Sequence, residues 1–300
     1  IVLNAEIASD IVPDATNTYS LGTDPLSGGK QWADIWVQNF NAGAISASAI
    51  TVAGIDLTLK QGNIYYVAEN GDDGNDGDHP QAPYASLTYA LTQVTAGDTI
   101  HIYPGEYQET FPMTVPVGVT VKGHSIRSVN ISPTPATNDK DAFLLNGEST
   151  VEDLTVKDFF YDSIGDTGYA FRFANNMTVT TRSPYIRNIT VITAGSVTTA
   201  EDPRGFNQGD AGRGVLADGS VVNASSKEAS MLFHSATFIC PGVDTINCTN
   251  GVRIEWLNSF TYFANRSIYA FDGAAGKYND GKTRIRLSGL GGAAPAGGQT

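Results

Sequence analysis

Carboxylates are concentrated in one short segment of the chain, NGDDGNDGDHP at residues 70–80. Its aspartates are Asp72, Asp73, Asp76 and Asp78. Carboxylate oxygens are ligands that Ca²⁺ prefers, but an EF-hand loop counted from Asp72 would need ligands at Gly74, its third position, and Pro83, its twelfth. Neither residue can serve. We therefore predict a structural turn and no cofactor, and calcium bound by the four aspartates is the alternative.

Paired carboxylates are a second possibility, because glycoside hydrolysis uses one to protonate the leaving oxygen and another to activate water or attack the sugar. Glu152 and Asp153 are adjacent, and adjacent side chains of a strand point to opposite faces, so we do not expect them to pair. The other carboxylates that could join one of them are Asp158, Asp162, Asp166 and Glu255. A lyase would also use a basic residue such as Arg187. No spacing selects one combination, so we predict no catalytic residue and no enzymatic activity, with a glycan-degrading lyase or hydrolase as the alternative.

Histidines and cysteines are few and scattered. The histidines are His79, His101, His124 and His234, and the cysteines are Cys240 and Cys248. A zinc site needs such residues in a cluster, and a disulfide framework needs more cysteines. We therefore predict solitary histidines, no metal and two free thiols.

Aromatic side chains are concentrated at residues 158–162, 169–173 and 259–271. Large aromatics are favoured in cores and at buried contacts between subunits, and stacking on a sugar is a further use. The candidate receptor or interface aromatics are Tyr169, Trp256, Tyr262 and Tyr269.

The elements that would position these side chains are predicted to be short strands. Runs of Val, Ile, Thr and aromatic residues lie between Gly, Asn and Asp, a pattern typical of β-structure. One helix is predicted over residues 85–94, where apolar residues such as Leu87 and Leu91 have helical spacing and Ser86 could cap the first turn.

A weak repeat links VEDLTV at residues 151–156 with IRNITV at residues 186–191. A coil that places equivalent side chains above one another would produce such a match. An antiparallel sandwich would also give many short strands, and Asn-Gly and Asp-Gly pairs that suit hairpins occur in the chain. The sandwich is therefore the alternative fold.

The 300 residues carry a formal net charge of −13, which argues against nonspecific binding to nucleic acid or an anionic membrane. No apolar run of about 18 residues is present to span a membrane. Residues 1–59 alternate short apolar pairs with turn residues and could not bury a core alone. We predict that residues 1–59 are an N-terminal adaptor or trimerisation segment, that residues 60–300 are the main domain, and that both ends are cuts in a longer polypeptide.

Residues 64–109, IYYVAENGDDGNDGDHPQAPYASLTYALTQVTAGDTIHIYPGEYQE, resemble the opening cap of domains of the pectin-lyase-like superfamily. In that superfamily an NG…DG turn leads through a P…SL..AL helix to a GDTI.I.PG.Y.E segment in the first coils. The resemblance implies an all-β fold: a right-handed parallel β-helix with an extended N-terminal adaptor segment and one short capping helix. Lyases, hydrolases, epimerases and noncatalytic fibres share this fold, so it does not imply a function.

Two further segments resemble virion proteins. Residues 19–37, YSLGTDPLSGGKQWADIWV, are similar to segments that recur in tail fibres of tailed bacteriophages, and residues 214–273 with 281–289 are similar to virion structural proteins of contractile-tailed cyanobacterial phages. The resemblance implies a structural component of a tail fibre, spike or baseplate-attached appendage that contributes to attachment to the host surface. It also implies a homotrimer in the virion tail, facing the outer surface of the host, with other tail or baseplate proteins and a host-cell glycan as partners.

Overall fold

The computed structural model describes residues 51–52, 55–56, 62–178, 182–194, 210–223, 230–270, 284–288 and 292–294. The chain divides into two compact units, Ile1–Leu59 and Lys60–Thr300. In the first unit, β1 (Thr51–Val52) and β2 (Ile55–Asp56) pair antiparallel. Most residues of the predicted adaptor lie outside the described residues, so its role stays a prediction.

The second unit has one α-helix in its described part, α1 (Leu87–Gln93). Its strands are β3 (Ile64–Val67), β4 (Thr99–Ile102), β5 (Gly105–Glu109), β6 (Met113–Val115), β7 (Thr120–Gly123), β8 (Val129–Pro133), β9 (Phe143–Leu145), β10 (Thr150–Lys157), β11 (Tyr169–Phe173), β12 (Met177–Thr178), β13 (Tyr185–Ile192), β14 (Arg213–Asp218), β15 (Val222–Asn223), β16 (Ser230–His234), β17 (Thr237–Ile239), β18 (Asp244–Thr249), β19 (Arg253–Leu257), β20 (Phe260–Tyr262), β21 (Arg266–Ala270), β22 (Arg284–Ser288) and β23 (Gly292–Ala294).

These strands form three sheets, and the strands within each sheet are parallel. The first sheet has the order β3-β4-β7-β10-β13-β16-β19-β22, the second β5-β8-β10-β13-β17-β20-β23, and the third β6-β9-β11-β14-β18-β21. Strands β10 and β13 are long enough to belong to both the first and the second sheet, and β12 pairs with β15 alone. Each strand pairs with the equivalent strand of the next coil. The predicted parallel β-helix is confirmed, and the sandwich is wrong.

The predicted repeat is a true coil repeat. In the pairing of β10 with β13, Val151 lies opposite Ile186 and Leu154 opposite Ile189, so the two matching segments stack residue on residue. Both strands bend after the first sheet, at Asp153 (φ 60°) and Asn188 (φ 50°). Asn and Asp tolerate this left-handed geometry better than most residues, which allows the strand to turn a corner without a loop.

The corner residues also bond to one another between coils. Asn188 Nδ2 donates to Asp153 Oδ1 at 2.6 Å, and Asn258 Nδ2 donates to Ser235 Oγ at 3.4 Å. The structure places Asn188 and Asn258 in the same corner, with Ser235 in the coil between them. Gly123 holds the equivalent place next to Asp153, where a Cβ atom would lie 2.2 Å from the Asp153 carbonyl oxygen.

The interior of the coils is apolar. One stacked row of the first sheet consists of Ile100, Val121, Val151, Ile186, Phe233 and Trp256. None of these side chains is more than 3% exposed. Alternate residues of each strand point inward, so stacking coils in this register builds one continuous core. Cys240 and Cys248 are thiols buried in the same core, and burial raises the pKa of Cys240 to about 12.

Helix α1 contacts β3, β4 and β6 of the first coils. The predicted helix and cap are confirmed: Ser86 accepts a hydrogen bond from the Tyr89 N–H, and Leu87 is fully buried. The buried carboxylate of Glu109 accepts bonds from the Leu87 and Thr88 N–H groups at 2.7 and 2.8 Å. These bonds satisfy backbone donors that the first turn of a helix leaves without partners.

The core predicts a large effect of truncating Phe171. Its ring contacts those of Phe143, Phe233 and Phe238, with centroids 5.7, 6.0 and 6.5 Å away. We expect Phe171→Ala to lower the free energy of unfolding by about 3–5 kcal/mol, because it removes buried area and leaves a cavity. Chemical denaturation followed by circular dichroism measures this. The matched control is Phe263→Ala at a ring 45% exposed, expected to cost less than about 1 kcal/mol. Equal losses in the two variants would contradict the core assignment.

Candidate functional site

Polar side chains stand in a row on the outer side of the first sheet. In register, the row is Tyr66, His101, Lys122, Glu152, Arg187 and His234. Each comes from a different coil, and the inward-facing row lies one residue before it on every strand. The stacking that builds the core therefore also aligns these polar groups.

The centre of the row is a group of five residues, which we call the carboxylate cluster: Lys122, Glu152, Asp153, Arg187 and Asn188. Lys122 Nζ lies 2.7 Å from Glu152 Oε1 and 3.3 Å from Asp153 Oδ2. Arg187 Nε donates to Glu152 Oε2 at 2.9 Å. Two carboxylates thus contact one ammonium group, and one of them is also held by a guanidinium.

The two adjacent carboxylates share a side because the chain turns between them. We expected Glu152 and Asp153 on opposite faces, and that expectation is wrong. Asp153 has a φ of 60° instead of an extended value, so its side chain is directed back towards Lys122. The alternation of a strand holds only while the strand stays extended.

The ion pairs fix the charge of the two cations. The hydrogen bond that Lys122 donates to Glu152 and the negative charge of that carboxylate raise the pKa of Lys122, outweighing burial, and the same partner raises the pKa of Arg187. The Glu152 side chain is only 9% exposed, against 39% for Lys122 and 43% for Arg187. Both bases therefore stay protonated, and the buried carboxylate has two counter-charges.

A second group, the aromatic cluster, consists of Tyr66, His101, Tyr103 and His124. The ring of His101 lies 6.2 Å from Tyr66, 5.4 Å from Tyr103 and 6.0 Å from His124, each measured between centroids, and each pair is edge-to-face. Tyr66 and Tyr103 stack at 6.0 Å. The histidines were predicted to be solitary, and for His101 and His124 this is wrong. His101 is paired in register with Lys122, so the aromatic cluster adjoins the carboxylate cluster.

The remaining carboxylates predicted as alternatives lie elsewhere. Asp166 accepts hydrogen bonds from the hydroxyls of Tyr161 and Tyr169 at 2.9 and 3.0 Å, in the segment that leads to the third sheet. Glu255 lies on β19, three strands beyond β10, with Arg253 Nε at 3.1 Å. Asp158 is exposed beside Lys157, and Asp162 accepts a bond from the Ile164 N–H. Of the residues considered for catalysis, Glu152, Asp153 and Arg187 are brought together.

The candidate receptor aromatics divide into two kinds. Tyr169 and Trp256 are 2% and 3% exposed, so the expectation that they contact a receptor or a partner is wrong. Trp256 packs between Phe233 and Phe238 because it falls on the inward-facing row, which the sequence did not reveal without the register. Tyr262 is 38% exposed, and Arg266 covers the ring of Tyr269 at 3.6 Å.

The aspartates of the acidic turn do not converge. Asp73 accepts hydrogen bonds from the Ala85 and Ser86 N–H groups at 2.9 and 3.0 Å and from the Ser86 hydroxyl, and Asp72 accepts one from the Gly74 N–H. Among the described residues, no group of three or more His, Cys, Asp or Glu side chains is placed to hold a metal ion. The turn instead braces the start of α1. In the same part of the chain, no helix is long and apolar enough to cross a membrane.

One protein family matches part of the chain. A family described as a protein of unknown function (DUF1565) matches residues 69–152, from the acidic turn to the carboxylate cluster. No curated protein matches the chain. The strand pairing shows a parallel β-helix, the architecture that the resemblance of residues 64–109 implied.

Three solved structures are similar to the chain. One described as a rhamnogalacturonan lyase has a TM-score of 0.41 and 14% identity, over 78% of this chain and 62% of that one. The catalytic domain of a GH87 α-1,3-glucanase in complex with nigerose has a TM-score of 0.43 and 17% identity, over 69% of this chain and 35% of that one. A pectin methylesterase mutant in complex with a hexasaccharide has a TM-score of 0.43 and 13% identity, over 76% and 70%. The chain thus spans less than two thirds of the lyase and of the glucanase.

One expectation has to be corrected. No enzymatic activity was expected, whereas the three structures of similar fold are described as a lyase, a glucanase and a methylesterase. At 13–17% identity the similarity is one of fold.

The surroundings of His101 predict a pH dependence. Burial, followed by the nearby His124 and Lys122, lowers the pKa of His101 below its ordinary value of 6.5. The fold therefore favours the neutral ring. The contribution of the neutral His101 ring to the free energy of unfolding is complete above pH 6.5, the ordinary pKa of histidine. This contribution is lost as the pH falls through the lower pKa that His101 has in the folded protein.

We expect nuclear magnetic resonance to give a pKa below 6.5 for His101. Lys122→Met should raise that pKa, because a neighbouring positive charge is removed. His101→Gln should reduce the fall in unfolding free energy below pH 6.5, measured by denaturation at a series of pH values. A His101 that titrates at or above 6.5 would show that the ring is not held as described.

Proposed function

We propose that the chain binds a polysaccharide on the outer side of the first sheet and hydrolyses it at the carboxylate cluster. The observation that carries the proposal is that Lys122 contacts both Glu152 and Asp153 on the outward-facing side of a rigid sheet. Glycoside hydrolysis needs two carboxylates on one exposed surface. Sites built on strands also hold their groups more firmly than sites on loops.

The two carboxylates take different roles. Asp153, with a side chain 20% exposed, is the more accessible and gives a proton, taken up from solvent, to the leaving glycosidic oxygen. Because Lys122 contacts both carboxylates, they are closer than the separation of about 6.5–9.5 Å that leaves room for a water between them, so Glu152 attacks the anomeric carbon directly. The bond to Glu152 forms as the carbon–oxygen bond to the leaving sugar breaks. Asp153 then takes a proton from water, and the water oxygen bonds to the anomeric carbon as the bond to Glu152 breaks, which returns both groups to their starting state.

Elimination by a lyase is less well supported. A lyase needs a neutral base to remove a proton from the sugar, and the basic candidates beside the carboxylates are Lys122 and Arg187. The pKa of each is raised by its bond to Glu152, so each remains a cation. Hydrolysis uses the same cations only to hold a carboxylate in place, which is what the geometry provides.

The aromatic cluster supports a glycan as the ligand. Tyr66, Tyr103 and His124 present rings at the surface next to the carboxylate cluster, with intermediate or full exposure. The apolar face of a sugar ring can pack on such a ring while its hydroxyls remain in water, because aromatic side chains offer large area at small entropic cost. The rings would hold the chain beside the carboxylates.

Removing either carboxylate tests the mechanism. We expect Glu152→Gln and Asp153→Asn each to lower polysaccharide cleavage at least about 100-fold, since the first removes the nucleophile and the second the proton donor. Release of reducing ends from a panel of bacterial surface polysaccharides measures the rate. The matched control is Glu106→Gln, which makes the same change at a carboxylate 2.8 Å from Lys157 Nζ on the second sheet and should leave the rate unchanged. Folding is checked by thermal unfolding. Folded variants that keep more than about a tenth of the rate would refute the assignment.

We further propose that the chain works in a phage tail fibre, spike or baseplate-attached appendage, as a homotrimer that meets a host-cell glycan. The support is the resemblance of residues 19–37, 214–273 and 281–289 to phage virion proteins. A parallel β-helix suits such an appendage, because each strand pairs with the coils above and below and no strand edge is exposed along the shaft. Attachment and hydrolysis are compatible, since both need the same glycan to be bound.

The trimer is tested by light scattering coupled to size exclusion. One chain has a mass of 31.7 kDa, and we expect residues 1–300 to run at three times that mass. Residues 60–300 alone should run as the monomer, because residues 1–59 are proposed to trimerise the chain. A monomer in both forms would refute the adaptor role, and a trimer in both would place the contact in the β-helix.

A further inference from the structure

A groove adjoins the carboxylate cluster at the corner where the third sheet leads into the first. Its volume is about 620 Å³, and its lining includes Gly97, Gly118, Thr120, Glu148, Thr150 and Arg182. This volume is typical of pockets for small ligands. Gly97 and Gly118 turn with φ of +99° and +70°, and both carry no side chain to fill the space.

The groove is aligned with the proposed cleavage centre. Thr120 and Thr150 are paired in register, two residues before Lys122 and Glu152 on the same strands. Residues two apart share a side of the sheet and lie roughly 7 Å apart along the strand. That step is comparable with the length of one hexose unit in a glycan chain. A sugar in the groove would therefore belong to the same chain as a sugar at the carboxylates.

The lining suits uncharged hydroxyl groups. Thr120 and Thr150 are partly exposed and can each donate and accept a hydrogen bond. Glu148 adds an acceptor and Arg182 adds donors, and the Glu148 N–H bonds to the Arg182 carbonyl at 3.0 Å, which fixes the two segments together. A sugar hydroxyl is both donor and acceptor, so it can use every member of this set.

The charges argue against an acidic glycan. In the carboxylate cluster two cations, Lys122 and Arg187, already face two carboxylates, Glu152 and Asp153. The groove adds one charge of each sign, and the chain as a whole has a net charge of −13. The negative charge of the chain would repel a uronate at a distance. At close range Lys122 and Arg187 already pair with carboxylates and are not free to bind it.

We propose that this groove is the binding subsite for a neutral sugar unit next to the cleaved bond, so that the substrate is a neutral polysaccharide lying parallel to the strands of the first sheet. This inference rests on the hydrolytic function proposed above. It names the substrate class and the direction of the substrate across the site.

The experiment uses Asp153→Asn protein, so that the probes are not cleaved while Glu152 still holds Lys122 and Arg187. Neutral probes are hexasaccharides of β-1,4-, α-1,4-, β-1,3- and α-1,3-linked glucose and of β-1,4-linked mannose, and the acidic probe is hexagalacturonate. Amide signals of Gly97 and Gly118 report on the groove, and the side-chain amide of Asn188 reports on the carboxylate cluster. We expect at least one neutral probe to shift both sets, and hexagalacturonate to bind at least about tenfold more weakly.

Filling the groove with Thr150→Trp should weaken binding of that neutral probe at least about tenfold. Arg182→Ala should weaken it by a smaller factor. The matched control is Thr114→Trp, at an exposed threonine of the third sheet, which should leave binding unchanged. The subsite is refuted if no neutral probe shifts the glycine signals or if Thr150→Trp binds as tightly as the control. Tighter binding of hexagalacturonate refutes the neutral substrate.

The two proposals fail separately. If a neutral probe occupies the groove but the unmutated protein cleaves no glycan, the subsite stands and the hydrolytic function is wrong. If the unmutated protein and the Thr150→Trp variant cleave a glycan at the same rate and give products of the same lengths, the hydrolytic function stands and the subsite is wrong.

Discussion

The constraint on which the structure depends is the parallel register between coils. Each residue of a strand lies against its counterpart one coil away, so an inward position must suit its neighbours above and below. Val151 between Val121 and Ile186 satisfies this with three β-branched side chains, which pack well on a pleated surface. The outward row obeys the same rule with charge: Glu152 lies between Lys122 and Arg187, and like charges do not meet there.

The left-handed conformation of Asp153 at the corner brings two carboxylates to the same side of the sheet. A left-handed residue costs about 1–2 kcal/mol for most L-amino acids, and the cost is smaller for Asp and Asn, which bond locally. Here the bond from the Asn188 amide at 2.6 Å and the contact with Lys122 offset it. The same conformation turns the chain into the second sheet and brings the Asp153 carboxylate to the side of Glu152. A feature required by the fold thus creates a carboxylate pair that an extended strand could not form.

Local signals in the sequence predicted much of the fold. The spacing of apolar residues predicted α1, and the match between residues 151–156 and 186–191 predicted a stacked coil, because both signals lie within a short stretch. The site was harder to predict. Lys122 and Glu152 are 30 residues apart, and their contact depends on the length of the coil between them, which includes loops of variable length. Trp256 was misplaced for the same reason, since its side of the strand follows from the register with Phe233.

Electroneutrality then limits what the site can bind. Glu152 is 7% exposed, and burying a carboxylate without partners is costly, so the two cations beside it are needed by the folded protein before any ligand arrives. Cations engaged in this way cannot act as bases, and they offer little attraction to an acidic polymer. A neutral sugar needs no free cation, because its hydroxyls can bond to the threonines of the groove and to the oxygens of the two carboxylates. The ion pairs that stabilise the stacked coils are therefore the reason to expect hydrolysis of a neutral glycan and not elimination from a charged one.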